Sequence, residues 1–152
     1  MSAVEYALLS PLFIALLVSA LVVSYVEFAR AQLDQASEIG KRVVLTGKAT
    51  NLPALQKAVC GAIGGLVSCN QTMISLTPYS SFAAVNTANP TLTYNADGSV
   101  ANAWSQNFGA SGSIMVLQLI YQLPVFGAPL FGVATQSNGN FLLVSTQVFV
   151  RE

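Results

Sequence analysis

Few residues in this chain could do chemistry. The thiols are Cys60 and Cys69, the carboxylates are Glu5, Glu27, Asp34, Glu38, Asp97 and Glu152, and there is no histidine. Without histidine, Ser-His and Cys-His nucleophile pairs and most His-based metal sites are excluded. Acid–base catalysis needs titratable groups that converge on one site, and from residue 58 to residue 150 the sole charge is Asp97. Glu27, Asp34 and Glu38 recur with Arg30 and Arg42 at helical spacing, which marks them as paired or solvated charges. Two cysteines alone make a poor metal site. The residues therefore predict no enzyme, no metal and no cofactor. Two chemistries are left: the cysteines pairing with each other, and Glu5 finding a positive partner.

The surrounding composition says where these groups must work. Of 152 residues, 53% are apolar and 8% are charged, with six acids balancing six bases. A usual soluble domain is about 25% charged. A neutral chain does not bind nucleic acid by neutralising phosphates. A hydrophobic, charge-poor chain is also not a disordered one. What remains is a membrane-linked or self-assembling protein.

Residues 6–26 read YALLSPLFIALLVSALVVSYV, without a charge. As a helix these 21 residues span about 31 Å, close to one hydrocarbon core. Ser10, Ser19 and Ser24 can bond back to the helix, and Pro11 predicts a bend near its start. No basic segment precedes the run, and Glu5 stands where a secretory signal would carry Lys or Arg. Opposite charges then alternate at helical spacing, Arg30 with Asp34 and Glu38 with Arg42, with Val26, Leu33, Ile39 and Val43 as an apolar stripe. This predicts one helix over residues 2–46, capped at Gly47 and about 68 Å long. The organisation expected is a helical segment 1–48, with its membrane or filament part in 1–26, and a globular domain over 49–152. The first half would sit in lipid or among identical helices. The second half would pack on the domain.

Asn51 and Pro53 predict the start of a short helix reaching residue 63. The leading helix implies export of the domain behind it, hence an oxidising compartment. Cys60 and Cys69 are then expected to form a disulfide contributing about 2–3 kcal/mol; the alternative is two reduced, buried thiols. Strand patterns occur at residues 72–79, 91–94, 114–123 and 141–150. The last is apolar on both faces and is expected in the centre of the sheet. The fold class is α+β, a long helix on a small antiparallel sheet. Residues 80–113 lack pattern and carry Trp104 and Phe108, candidate surface-contact residues if the loop faces outward. If it does not, both rings pack beneath it. Residues 124–140 hold Pro124, Gly127 and Pro129, then a polar turn.

The N-terminus carries a resemblance. Met1-Ser2-Ala3-Val4-Glu5-Tyr6 resembles the start of a mature type IV pilin of the tight-adherence (Tad, or Flp) branch, with glutamate fifth and tyrosine sixth and the leader already absent. The stretch AVEYALLSPLFIALLVSALVVSYVEFARA is similar to TadE/TadG-like pilins, including the early proline and the Glu27-Phe28 and Arg30 near its end. The cysteine pair and the closing VSTQVFVRE also resemble those proteins, more weakly. The resemblance implies a structural subunit processed by a prepilin peptidase, held in the inner membrane, and lifted by an assembly machine into an extracellular filament of copies of itself. Such filaments serve attachment. Met1, Glu5 and Tyr6 would be the processing and assembly residues, with the Met1 amino group of one subunit meeting Glu5 of another. Two other readings stay open: a minor pilin that primes or caps a filament, and a monomeric, membrane-anchored exported binding domain.

Overall fold

The computed structural model of the chain describes residues 2–125, 136 and 138–152, with side chains from Tyr6 onward. Met1, the Glu5 side chain, Gly127 and Pro129 lie outside the described residues.

Helix α1 runs Ser2–Leu45 and continues through Pro11. It stops because Gly47 takes a left-handed φ of 67°, which a residue without Cβ adopts freely. The Gly47 amide then donates to Val44 O at 3.1 Å and the Ala49 amide to Val43 O at 2.9 Å, covering the last carbonyls. Helix α2 runs Leu52–Ala62, and the Ala54 amide donates to Asn51 Oδ1 at 3.0 Å. Pro53 sits in its first turn, where a missing amide hydrogen costs nothing. Cys60 and Cys69 are joined by a disulfide with Cα atoms 5.4 Å apart. It ties the end of α2 to the 3₁₀ turn Cys69–Gln71 ahead of the first strand.

Strands β1 (Met73–Tyr79), β2 (Ile114–Leu123) and β3 (Phe141–Val150) form an antiparallel sheet in the order β1-β2-β3. The fold is α+β: one long helix and one small helix against a three-stranded sheet. The expected central position of residues 141–150 is not what forms. Strand β3 is at the edge and β2 is in the centre. On β2, Met115, Leu117, Leu119, Tyr121 and Leu123 are buried in the main core, and Ile114, Val116 and Ile120 are buried on the opposite face. On β3 the face away from the helices leaves Val148 and Val150 exposed. An apolar pattern on both faces therefore marks β2 as central but not β3, because the cover buries Ile114, Val116 and Ile120 of β2 and only half-covers the same face of β3.

That cover is the irregular segment 80–113. Gln118 Nε2 donates to Ala88 O at 3.2 Å, and Gln122 Nε2 to the Tyr94 hydroxyl at 3.1 Å. The two glutamines that interrupt the second face of β2 are the groups that hold the segment there. Its return passes along β1, where the Leu76 amide donates to Ser105 O at 2.7 Å and the Asn107 amide to Leu76 O at 3.1 Å. Residues 91–94 form no strand; Tyr94 makes a single bridge to Val100 around the turn at Asn95.

The helix face against the sheet also differs from the expected stripe. Val26 and Leu33 are buried, but Ile39 is exposed and Val43 is half-buried. The buried line is Val26, Ala29, Leu33, Ala36, Ser37, Gly40 and Val44. Small residues dominate it because the sheet comes close: a Cβ at Gly40 would meet Leu117 Cδ2 at 3.0 Å and Val59 Cγ2 at 3.1 Å. Inside this contact Ser145 Oγ donates to Ser37 Oγ at 2.8 Å, Gln147 Nε2 to the same oxygen at 3.2 Å, and Ser37 Oγ to Asp34 O at 2.7 Å. Buried polar groups must find partners, so this set fixes one axial position of α1 on β3. The expected Arg30–Asp34 and Glu38–Arg42 pairs are not the ones made. Among the described residues the ion pair is Lys41 with Glu38, at 3.3 Å on the surface.

Candidate functional site

The feature that stands out is the first half of α1. Its stretch from Tyr6 is long and apolar enough to cross a membrane, and the most apolar part of it is not buried. Tyr6, Leu8, Leu9, Leu12, Phe13, Ile14, Leu16, Leu17 and Leu21 all stand exposed, Leu12 and Leu21 each at 70%. Burying a side chain of this kind is worth about 1.5–3 kcal/mol, so a row of them is stable only in lipid or against other protein. The polar atoms along the row cause little difficulty. Ser19 Oγ donates to Leu16 O and Ser24 Oγ to Ala20 O, both at 2.8 Å, so these hydroxyls satisfy themselves inside the helix.

The row gives way to packing from Val22, which with Tyr25 is half-buried against the core, and Val26 is its first buried residue. Glu27 and Arg30, the first charges after it, are exposed. A continuous helix thus changes role within about one turn, from unpartnered and uncharged to packed and charged. Residues 1–42 match the family model of TadE-like proteins. The chain carries a TadE-like N-terminus. That match is consistent with a TadE-like protein of the Tad pilus, and the family is a pilus component. It covers the exposed half of α1 and most of the packed half, and ends before the helix does. No curated protein and no solved structure matches the chain.

Of the assembly residues named from the sequence, Tyr6 is exposed at the start of the row. Glu5 lies on the helix backbone, one residue before it. The candidate contact residues are not free on a loop tip. Phe108 is half-buried and packs on the main core, and the Arg151 guanidinium donates to its carbonyl at 2.8 Å. Trp104 is half-buried beside Leu52, Gln56, Met73 and Ile74. Phe108 packs on the main core and Trp104 lines a hollow between α2 and β1, so neither ring belongs to the cover on the second face of β2.

Among the described residues no group of three His, Cys, Asp or Glu side chains could hold a metal. Hydrogen bonds tune the ionisation of Asp97. Its Oδ1 accepts from Ser99 Oγ at 2.6 Å and from the Ser99 amide at 3.0 Å, and these bonds hold it below its usual range. It serves the turn at Asn95. The small buried residues of α1 were the contact that sequence reasoning missed, since Ala, Ser and Gly give little hydropathy signal; their recurrence at three- and four-residue spacing was the sign available.

Proposed function

We propose that this chain is a pilin-like subunit of a Tad pilus, seated in the inner membrane through residues 6–26 and then assembled with copies of itself into an extracellular attachment filament. The observation that carries the reading is the exposed, uncharged first half of α1, continuous with a helix locked into a folded domain. The same apolar surface suits lipid before assembly and neighbouring helices after it, so transfer from one to the other leaves little apolar area in water. Glu5 supplies the register. A carboxylate near the hydrocarbon is costly, about 2.5–3.5 kcal/mol at a helix centre, unless paired. In the membrane it rests near the headgroups; in a filament it meets the Met1 amino group of a neighbour. A prepilin peptidase would expose that amino group, and the pilus machinery would extract the subunit from the bilayer.

The test is Glu5→Ala in the native host, with export, membrane insertion and sheared surface filaments measured together. The variant is expected to be exported, inserted and disulfide-bonded, with filament yield reduced at least tenfold. Filaments at normal yield would remove the pairing role. Electron microscopy of sheared material whose main band has the mass of this chain supports the main-subunit form of the proposal. Filaments built chiefly of another protein would assign this chain a minor place in them.

A further inference from the structure

Two apolar hollows lie where the sheet meets α1. One is lined by Val18, Leu21, Val22, Tyr25, Pro124 and Val125, the other by Val22, Val23, Val26, Glu27 and Phe141. The end of the sheet where β2 finishes and β3 begins therefore stands beside residues 18–27, not beyond them. This matters for depth. The uncharged run 6–26 is about 31 Å long, one hydrocarbon core, and Val18 is eight residues, about 12 Å, before Val26 along the axis. If the run spans a bilayer, Pro124 and Val125 come level with its outer layer.

The chemistry of this end suits that position. Pro124 is exposed, Phe141 is half-buried, and no charged residue occurs from 98 to 150. Tyr25 places an amphipathic aromatic ring near the end of the span, as membrane-interface belts do, and Phe28 and Phe141 add apolar rings beside it. The nearby polar side chains bond one another: Asn138 Nδ2 donates to Gln122 Oε1 at 2.8 Å, Gln122 Nε2 to the Tyr94 hydroxyl, and that hydroxyl to Gln136 Oε1 at 3.1 Å. Groups satisfied internally lose little on leaving water. On the other flank Asn70, Gln71, Ser99 and Asn140 place polar side chains around a hollow beside Pro124. That flank suits headgroups and limits the contact to the interface.

We propose that this end of the domain is a second membrane-contact surface, with Pro124 and the half-buried Phe141 resting in the lipid interface beside α1. The subunit is then seated on two elements, the helix and the end of the sheet, which together fix its tilt and rotation in the bilayer. The proposal rests on the membrane insertion of residues 6–26 from the proposed function, and not on filament assembly.

Single-tryptophan proteins test it. In a Trp104→Phe background of the full chain, Phe141→Trp, Pro124→Trp, Leu12→Trp and Val150→Trp are reconstituted in phosphatidylcholine–phosphatidylglycerol vesicles with acyl chains brominated near the headgroup. Val150 is at the far end of β3, about 30 Å from Phe141, and serves as the aqueous control. Quenching at least threefold greater for Phe141→Trp and Pro124→Trp than for Val150→Trp is expected. Pro124→Trp, at an exposed position, keeps the test valid if Phe141→Trp misfolds. Equal, weak quenching at 141, 124 and 150 with strong quenching at 12 overturns this proposal alone. Weak quenching at 12 as well overturns it together with membrane insertion. Unquenched but concentration-dependent blue shifts at 141 and 124 overturn it in favour of a second copy of the chain on this surface.

Discussion

The two halves of α1 share one helix and differ in every side-chain property that decides packing. The first half presents Leu, Ile, Phe and Val over most of its surface, and from Tyr6 to Tyr25 no residue is fully buried. The second half buries one line, made mostly of Ala29, Ala36, Ser37 and Gly40. The difference teaches that hydropathy does not tell a helix what to pack on. The more apolar half is the one the domain leaves largely bare, because the end of the three-stranded sheet reaches along the helix only as far as about Val18. The less apolar half is the one the domain holds, because small residues let the sheet reach the helix backbone and add dispersion contacts along the whole line.

The strongest way to break this comparison is to put a large side chain in the small line. Gly40→Leu would drive a side chain into Leu117 and Val59, which already stand at 3.0 and 3.1 Å from the Cβ position. Overpacking of this kind costs about 3 kcal/mol or more, and the domain's thermal midpoint should fall by more than 10 °C. The same enlargement in the first half, Ala15→Leu, should leave that midpoint unchanged. Equal effects at the two positions would show that the first half packs on the domain after all.

The converse change tests the bare half. Leu16→Lys places a charge in the middle of the uncharged run, at about 2.5–3.5 kcal/mol against insertion. Membrane fractionation should show a large loss of inserted protein, while the detergent-solubilised variant melts at the original temperature. A shifted melting point would mean that Leu16 supports the domain.

How far the sequence carried these distinctions depends on the range of the forces behind each element. Local signals were legible: the end of α1 at Gly47, the Asn51 cap of α2, and the bounds of β2 come from residues within a few positions of one another. The exposed row was legible because charge is absent over 21 residues. The buried line was not, since Ile39 has the stronger hydropathy but lies on the wrong side of the helix, and only the sheet decides which side that is. The place of β3 failed for a related reason. Its second face is as apolar as that of β2, but the 80–113 segment reaches Gln118 and Gln122 of β2 and leaves Val148 and Val150 uncovered. That segment has no period to read, so its role as a covering layer could not be seen in advance. Glu5 was marked by resemblance and by the cost of a lone carboxylate, not by packing.

A smaller effect sharpens how the second half is positioned. Ser37→Ala removes the acceptor for Ser145 Oγ and Gln147 Nε2 inside the contact. The loss should be about 1–2 kcal/mol, the value of a buried hydrogen bond with partners left unsatisfied. Ser37→Ala combined with Ser145→Ala should cost less than the two single changes added together, because the pair is then removed as a unit. Additive losses would mean that the two hydroxyls do not act on each other.

The smallest effect separates the charged helix from the nearly uncharged domain by pH. Asp97 is the only carboxylate from residue 58 to residue 150, so mild acid acts on that stretch of the chain through this group alone. Hydrogen bonds from the Ser99 hydroxyl and amide favour the ionised form and lower its pKa below the usual 3.8. A group depressed on folding contributes stability that is complete above its unfolded pKa and is lost as pH falls through the folded one. The turn at Asn95 should therefore hold at pH 5 and loosen only below about pH 3.8. Because Asp97 is exposed, the loss should stay local, visible as faster exchange of the Ser99 amide without a shift in the domain's thermal midpoint. In Asp97→Asn the side chain still accepts from the Ser99 amide but no longer titrates, so exchange at Ser99 should become independent of pH over this range once the intrinsic rate is divided out. A midpoint that falls with the protonation of Asp97 would show that the turn supports the sheet. The layer over β2 would then depend on a charge, and would not be held by its glutamines alone.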